Sequence, residues 1–165
     1  FFSSRGRRTR FTSDGSSDVC SYDQDQGGES TTVELDLASS ESISTAFASI
    51  RDIAGDPEVL VYNAGYLEGR DLPPEKELLE HVPVEIFETA QHIASRGPFL
   101  VAKEVLPTMR KQGRGSFLIS NNSSSLRGRK RKTGQSLYYP RVMMRTLAQV
   151  LTEDRKSTRL NSSHW

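Results

Sequence analysis

The chain has 165 residues, 35% of them hydrophobic and 26% charged, with a formal net charge of +1. That length holds about one domain. The sequence contains no run of about 18 apolar residues, which excludes a transmembrane helix. The near-neutral balance gives no bulk electrostatic reason to bind nucleic acid. Cys20 is the only cysteine, and His81, His92 and His164 lie far apart. Neither an internal disulfide nor a metal site is therefore expected.

Residues 1–30 are rich in Ser, Gly, Asp and Arg and read as loop or disorder. The arginine-rich start, FFSSRGRRTR, reads either as a basic targeting arm or as sequence from inside a longer gene. Residues 31–37, TTVELDL, have strand character. Ser39, Ser40 and Glu41 then supply a capping hydroxyl and a first-turn acid. Ile43, Phe47, Ile50 and Ile53 follow on one face of a helix. Gly55-Asp56-Pro57 ends it. The compact apolar run EVLVY, residues 58–62, reads as a buried strand closed by Asn63-Ala64-Gly65. Strand, helix, strand in that order predicts a βαβ unit in a parallel sheet.

A long connection follows, with Pro73-Pro74 and a short helix over 75–80. A long helix runs from about Val84 to Lys111, with Val84, Phe87, Ala90, Ala94 and Val101 on its apolar side. Gly97-Pro98 should kink it. Gly113 and Gly115 end it. SFLIS, residues 116–120, forms a third strand. A polar, basic loop leads to a final helix over 136–153, interrupted near its start by Pro140, with Val142, Leu147, Val150 and Leu151 as its apolar surface. The alternation predicts an α/β open parallel sheet with helices on both faces.

Three features now coincide: VELDL, EVLVYNAG, and GRGSFLISNNSSSLRG followed by RTLAQVL. In this order the chain resembles the short-chain dehydrogenase/reductase family from about Thr31 to Glu153. SLRG and RTLAQ look like an atypical branch of it. The resemblance implies an incomplete Rossmann-like domain, NAD or NADP as cofactor, and hydride transfer on an alcohol or carbonyl. Ligands of such sheets bind at the carboxyl ends of the strands. Asp36 matches the acid that accepts a hydrogen bond from the adenine amino group, with Leu37 beside it; an exposed strand-end acid or a helix cap is an equal reading. Asn63, Ala64 and Gly65 match the stretch where the backbone passes close to the cofactor, since glycine lacks a Cβ.

The family's catalytic set is Asn, Ser, Tyr and Lys. Ala94 stands where Asn is expected, Leu137 at the Tyr position and Arg141 at the Lys position. Arg141 brings positive charge with a geometry unlike that of lysine. Tyr138 lies thirteen residues after Ser125, a common family spacing, so Ser123, Ser125, Tyr138 and Arg141 are the candidate catalytic residues. A surface tyrosine and a hydrated Ser-rich loop are the plainer alternatives. No Gly-rich turn for a pyrophosphate precedes Thr31. Ala94, Leu137 and Arg141 keep open a second function, a non-catalytic binding or scaffold protein, and a Gly-rich turn upstream would discriminate against it. The run RGRKRK, residues 127–132, is read as a solvated loop rather than a nucleic-acid site, since no aromatic residues interleave it.

Residues 154–164, DRKSTRLNSSH, back-translate to a string like a common short-read sequencing adapter. The natural chain is thus expected to lose representation near Glu153. Three segments result: 1–30 disordered or non-native, 31–153 a partial dehydrogenase domain, and 154–165 an artefactual tail. As written, the chain is expected to be inactive, cytoplasmic, and part of a protein that forms homo-oligomers.

Overall fold

The computed structural model describes residues 2–4, 7–12, 29–64, 79–121 and 135–153. Five strands form one sheet: β1 Phe2–Ser4, β2 Arg7–Thr12, β3 Glu29–Glu34, β4 Val59–Tyr62 and β5 Ser116–Ile119. Their order is β3-β2-β1-β4-β5. This is the order of the first five strands of a doubly wound sheet. β2 pairs parallel with β3, and β4 with β5. β1 is antiparallel to both of its neighbours. Four strands therefore share one direction, and the central strand opposes them.

Two strands lie where composition suggested loop or disorder. FSS and RRTRFT carry almost no apolar signal. Their strand state comes from pairing, with β2 matched to β3 residue for residue from Arg7 and Glu29 to Thr12 and Glu34. Cross-strand context of this kind overrides weak local preference. The expected βαβ unit is present as a crossover, but β2 and β1 lie between its two strands.

Helix α1 spans Ser40–Ala54. The Ser39 side chain accepts a hydrogen bond from the Ser42 N–H at 3.1 Å, satisfying a first-turn donor. Ile43, Ala46, Phe47 and Ile50 are buried. Ile53, expected on that face, is 46% exposed. Each step of three residues falls about 60° short of a full turn, so the row drifts off the buried stripe by its third step.

The long helix is three pieces: α2 Val84–Gln91, a π turn His92–Arg96, and α3 Gly97–Gln112. Ala90, Ala94 and Val101 are buried as expected, whereas Val84, at the first position of α2, is 63% exposed. Gly113 ends α3 in the left-handed region at φ 65°, where glycine carries no Cβ penalty. Helix α4 spans Gln135–Glu153. Its buried anchor is Met144, while Val142 and Val150 are exposed, contrary to expectation. Met144 joins Phe47, Leu60, Tyr62, Val105, Met109 and Phe117 in one core. Both crossovers, β3 to β4 and β4 to β5, move the same way across the sheet, so right-handed connection places α1 and α2–α3 on one face. Met144 brings α4 onto the same core. Among the described residues, no helix is long and apolar enough to cross a membrane.

Candidate functional site

The carboxyl ends of β2, β3, β4 and β5 lie along one edge of the sheet, where open α/β sheets bind ligands. Asp36 follows β3 on this edge and is exposed. Its Oδ1 accepts a hydrogen bond from the Ala38 N–H at 2.8 Å. Its own N–H donates to Ser42 Oγ at 2.9 Å, and its carbonyl accepts from the Ser39 N–H at 3.2 Å. Asp36 is thus a turn-forming residue whose exposed carboxylate stands at a strand end. Leu37 is half-buried against the core.

Asn63 and Ala64 continue β4 at the same edge; Asn63 is exposed and Ala64 packs on the core. Gly65 lies outside the described residues, as do Ser123 and Ser125. Tyr138 falls within α4, one turn before Arg141. The Arg141 carbonyl accepts a hydrogen bond from Asn121 Nδ2 at 2.9 Å. Asn121 directly follows β5 and Ser120, so this bond ties the end of that strand to the helix carrying Tyr138 and Arg141. The structure therefore brings Asp36, Asn63 and Ala64 to one edge and fastens the Arg141 backbone to the strand ending there.

Sequence reasoning passed over Asn121 and Tyr62. Asn121 was hidden in a Ser/Asn-rich loop. Tyr62 read as one more apolar residue of EVLVY, although a phenol at the end of a buried strand must find a partner. Its hydroxyl donates to the Ile93 carbonyl in the π turn. Burial raises its pKa well above the ordinary phenol value, so the group stays protonated and a donor.

The π turn has a local cause. The Gly97 N–H bonds to the His92 carbonyl, five residues back. In that register the next donor would be residue 98, facing the Ile93 carbonyl. Residue 98 is proline and has no N–H. Tyr62 supplies the missing donor. Arg96, at the end of the π turn, donates from Nη1 to the Ala38 carbonyl at 2.8 Å. Ala94 is buried in the same turn.

A phosphate-binding turn is not supplied at this edge by β1. Ser4 pairs with Arg7 at the start of β2, so β1 ends at the opposite end of the sheet.

A family model described as enoyl-(acyl carrier protein) reductase matches residues 9–156. The uncharacterized oxidoreductase YxbG of Bacillus subtilis (strain 168) is 30% identical over 112 residues, 68% of this chain and 37% of YxbG. The chain thus spans little more than a third of that relative. A metagenomic short-chain oxidoreductase solved in complex with NADP superposes with a TM-score of 0.80 at 17% identity, covering 96% of this chain and 69% of that one. An alcohol dehydrogenase from the archaeon Thermococcus sibiricus, complexed with 5-hydroxy-NADP, gives a TM-score of 0.75 at 21% identity, covering 93% and 63%. The matched family model covers nearly the whole of the sheet and its helices, and the strand order agrees with it: the chain belongs to the short-chain dehydrogenase/reductase family of oxidoreductases, on a Rossmann-like α/β sheet.

Proposed function

We propose that this chain is part of an NAD(P)(H)-dependent oxidoreductase that interconverts an alcohol and a carbonyl. The observation that carries this reading is the shared edge: Asp36 at the end of β3 and Asn63-Ala64 at the end of β4. The residues present fit two parts of a dinucleotide. The Asp36 carboxylate would accept a hydrogen bond from the adenine amino group. The backbone at Asn63, Ala64 and Gly65 would let the cofactor pass close to the sheet. Among the described residues they do not fit the pyrophosphate, since β1 ends at the far end of the sheet. We therefore expect the 165 residues to bind the dinucleotide weakly and not to turn over.

A bound dinucleotide supplies or accepts the hydride. The chain's own residues handle the oxygen and its proton. Ser123 or Ser125 would hold the substrate oxygen by a hydrogen bond. Tyr138 would exchange the proton with that oxygen, and the positive charge of Arg141 would favour its phenolate. Two structures similar to this chain were solved with NADP or a derivative of it, which makes NADP(H) the first probe and NAD(H) the second.

The test is titration of the chain with NADPH and with NADH, followed by nucleotide fluorescence. Saturable binding that Asp36→Ala weakens supports the reading. Absence of binding to either nucleotide sinks it for this chain. The exposed Val142, Met143 and Val150 on α4 support self-association of the whole protein, which sedimentation at several concentrations would check.

The second reading is a family member that binds without catalysing. Ala94 in the π turn and the reversed β1 favour it. Nucleotide binding without turnover, in a protein supplied with its remaining strands, would select this reading.

A further inference from the structure

The π turn His92–Arg96 is joined to three parts of the candidate site. Tyr62 of β4 donates to its Ile93 carbonyl. Its Arg96 donates to Ala38, in the turn that Asp36 organises. Helix α4, which carries Tyr138 and Arg141, packs against it. Of these links, Tyr62 replaces a bond that the backbone cannot make. Gly97 donates to His92, and Pro98 has no N–H to offer Ile93. Without the Tyr62 hydroxyl, that part-buried carbonyl would lose its donor, a loss that costs more than an ordinary hydrogen bond is worth.

Tyr62 is also the residue immediately before Asn63 and Ala64. Fixing its ring fixes where the β4 backbone leaves the sheet. We propose that Tyr62 is a positioning residue, whose bond to the Ile93 carbonyl locks the π turn to the ligand edge and so holds Asn63-Ala64 and, through Arg96, the Asp36 turn in register. It touches neither substrate nor cofactor in this role. The inference rests on the reading of this edge as the dinucleotide site.

The experiment compares the full chain with Tyr62→Phe, and with Tyr62→Phe combined with Pro98→Ala. Amide hydrogen exchange and NADPH affinity are read together. Tyr62→Phe keeps the ring and removes only the donor. Amides of residues 92–97, Asn63, Ala64 and Ala38 should exchange faster, while those of Ile43–Ile50 in α1 hold. The NADPH Kd should rise by up to roughly tenfold, the size of one net hydrogen bond. Pro98→Ala restores a backbone N–H, and in either helical register the Ile93 carbonyl then has a donor. The double variant should therefore regain most of the protection and affinity.

Faster exchange spread evenly over the chain, no change at Asn63 and Ala38, or no rescue by Pro98→Ala would overturn the proposal. If the unaltered chain binds neither NADPH nor NADH, the cofactor reading fails by itself. The exchange pattern and its rescue then decide the positioning role: local loosening that Pro98→Ala reverses supports it, and any other pattern overturns it.

Discussion

Gly97 and Tyr62 are fitted to each other. A Cβ on Gly97 would stand 2.5 Å from the Tyr62 hydroxyl oxygen and 3.1 Å from the His92 carbonyl. The hydroxyl cannot retreat without breaking its bond to Ile93. Gly97→Ala should therefore destabilise the chain by roughly 1–3 kcal/mol, the usual range for overpacking. In a Tyr62→Phe background the closest clash is gone, since the ring carbon below it lies 3.6 Å away. The same substitution should then cost clearly less. Denaturant melts of the four proteins give the coupling energy, and additive costs would break the argument.

The same phenol sets a pH dependence. Burial raises the folded-state pKa of Tyr62 above that of the unfolded chain. The folded state therefore holds its proton to higher pH than the unfolded state. This contribution is fully present below the unfolded phenol value of about 10 and is lost as pH rises above it toward the folded pKa, at up to about 1.4 kcal/mol per pH unit. Tyr62→Phe has no such proton. The stability gap between the unaltered chain and the variant should be constant from pH 7 to 9 and shrink above about 10. A gap that stays constant to pH 11 would show that the phenol titrates normally.

The core makes a simpler demand. Phe47 is fully buried on α1, against the same core as Leu60, Val105 and Met109. Truncating such a ring typically costs about 3–5 kcal/mol. A domain of this size has about 5–15 kcal/mol in all. Phe47→Ala should remove a large share of that stability and lower the melting midpoint strongly, while Ile53→Ala, on the exposed side of the same helix, should shift it little. Thermal melts followed by circular dichroism distinguish the two.

These residues also show what was legible. Ser39, Glu41 and Gly55 mark α1 because capping is local chemistry, and EVLVY and SFLIS are dense enough in apolar residues to read as strands. The place of Asp36 and Asn63-Ala64 at strand ends was legible because the strands before them are. Ile53 misled because a spacing of three drifts around the helix. β1 and β2 were illegible because FSS and RRTRFT become strands only through their neighbours. The π turn depends on Pro98 and Tyr62 together, residues far apart in sequence, and only Gly97-Pro98 gave warning of a distortion. Asn121 gave no sign among the polar residues around it, because its role is a bond to a backbone carbonyl on another element.

Arg51 shows how α1 is held to α3. Its Nη2 donates to both the Glu104 carboxylate and the Glu104 carbonyl, at 2.8 and 2.9 Å, and its guanidinium lies 6.0 Å from the Phe47 ring centroid. The pair is about one-third exposed, so solvent screens it. Arg51→Lys keeps the charge but loses the planar group that reaches Glu104 through Nη2 and Asp56 through Nε, the latter at 3.5 Å. It should cost nearly as much as Arg51→Met, about 1 kcal/mol. If Arg51→Lys matched the unaltered chain in urea melts while Arg51→Met did not, charge alone would be the stabilising feature.

Asn121 offers a test at the other end of the site. Its Nδ2 bond to the Arg141 carbonyl fastens α4 to the end of β5. Asn121→Ala removes the donor, and Asn121→Asp keeps the size but turns the group facing that carbonyl into an acceptor. Both should loosen the amides around Arg141. The Asp variant should do so more, because an ionised carboxylate then faces a carbonyl oxygen. The buried anchor Met144 remains, so α4 should stay helical. Far-ultraviolet circular dichroism should be unchanged while exchange at residues 141–147 quickens in the order Asn, Ala, Asp. If neither variant quickens exchange at these amides, the bond between strand and helix is not what holds α4 in place.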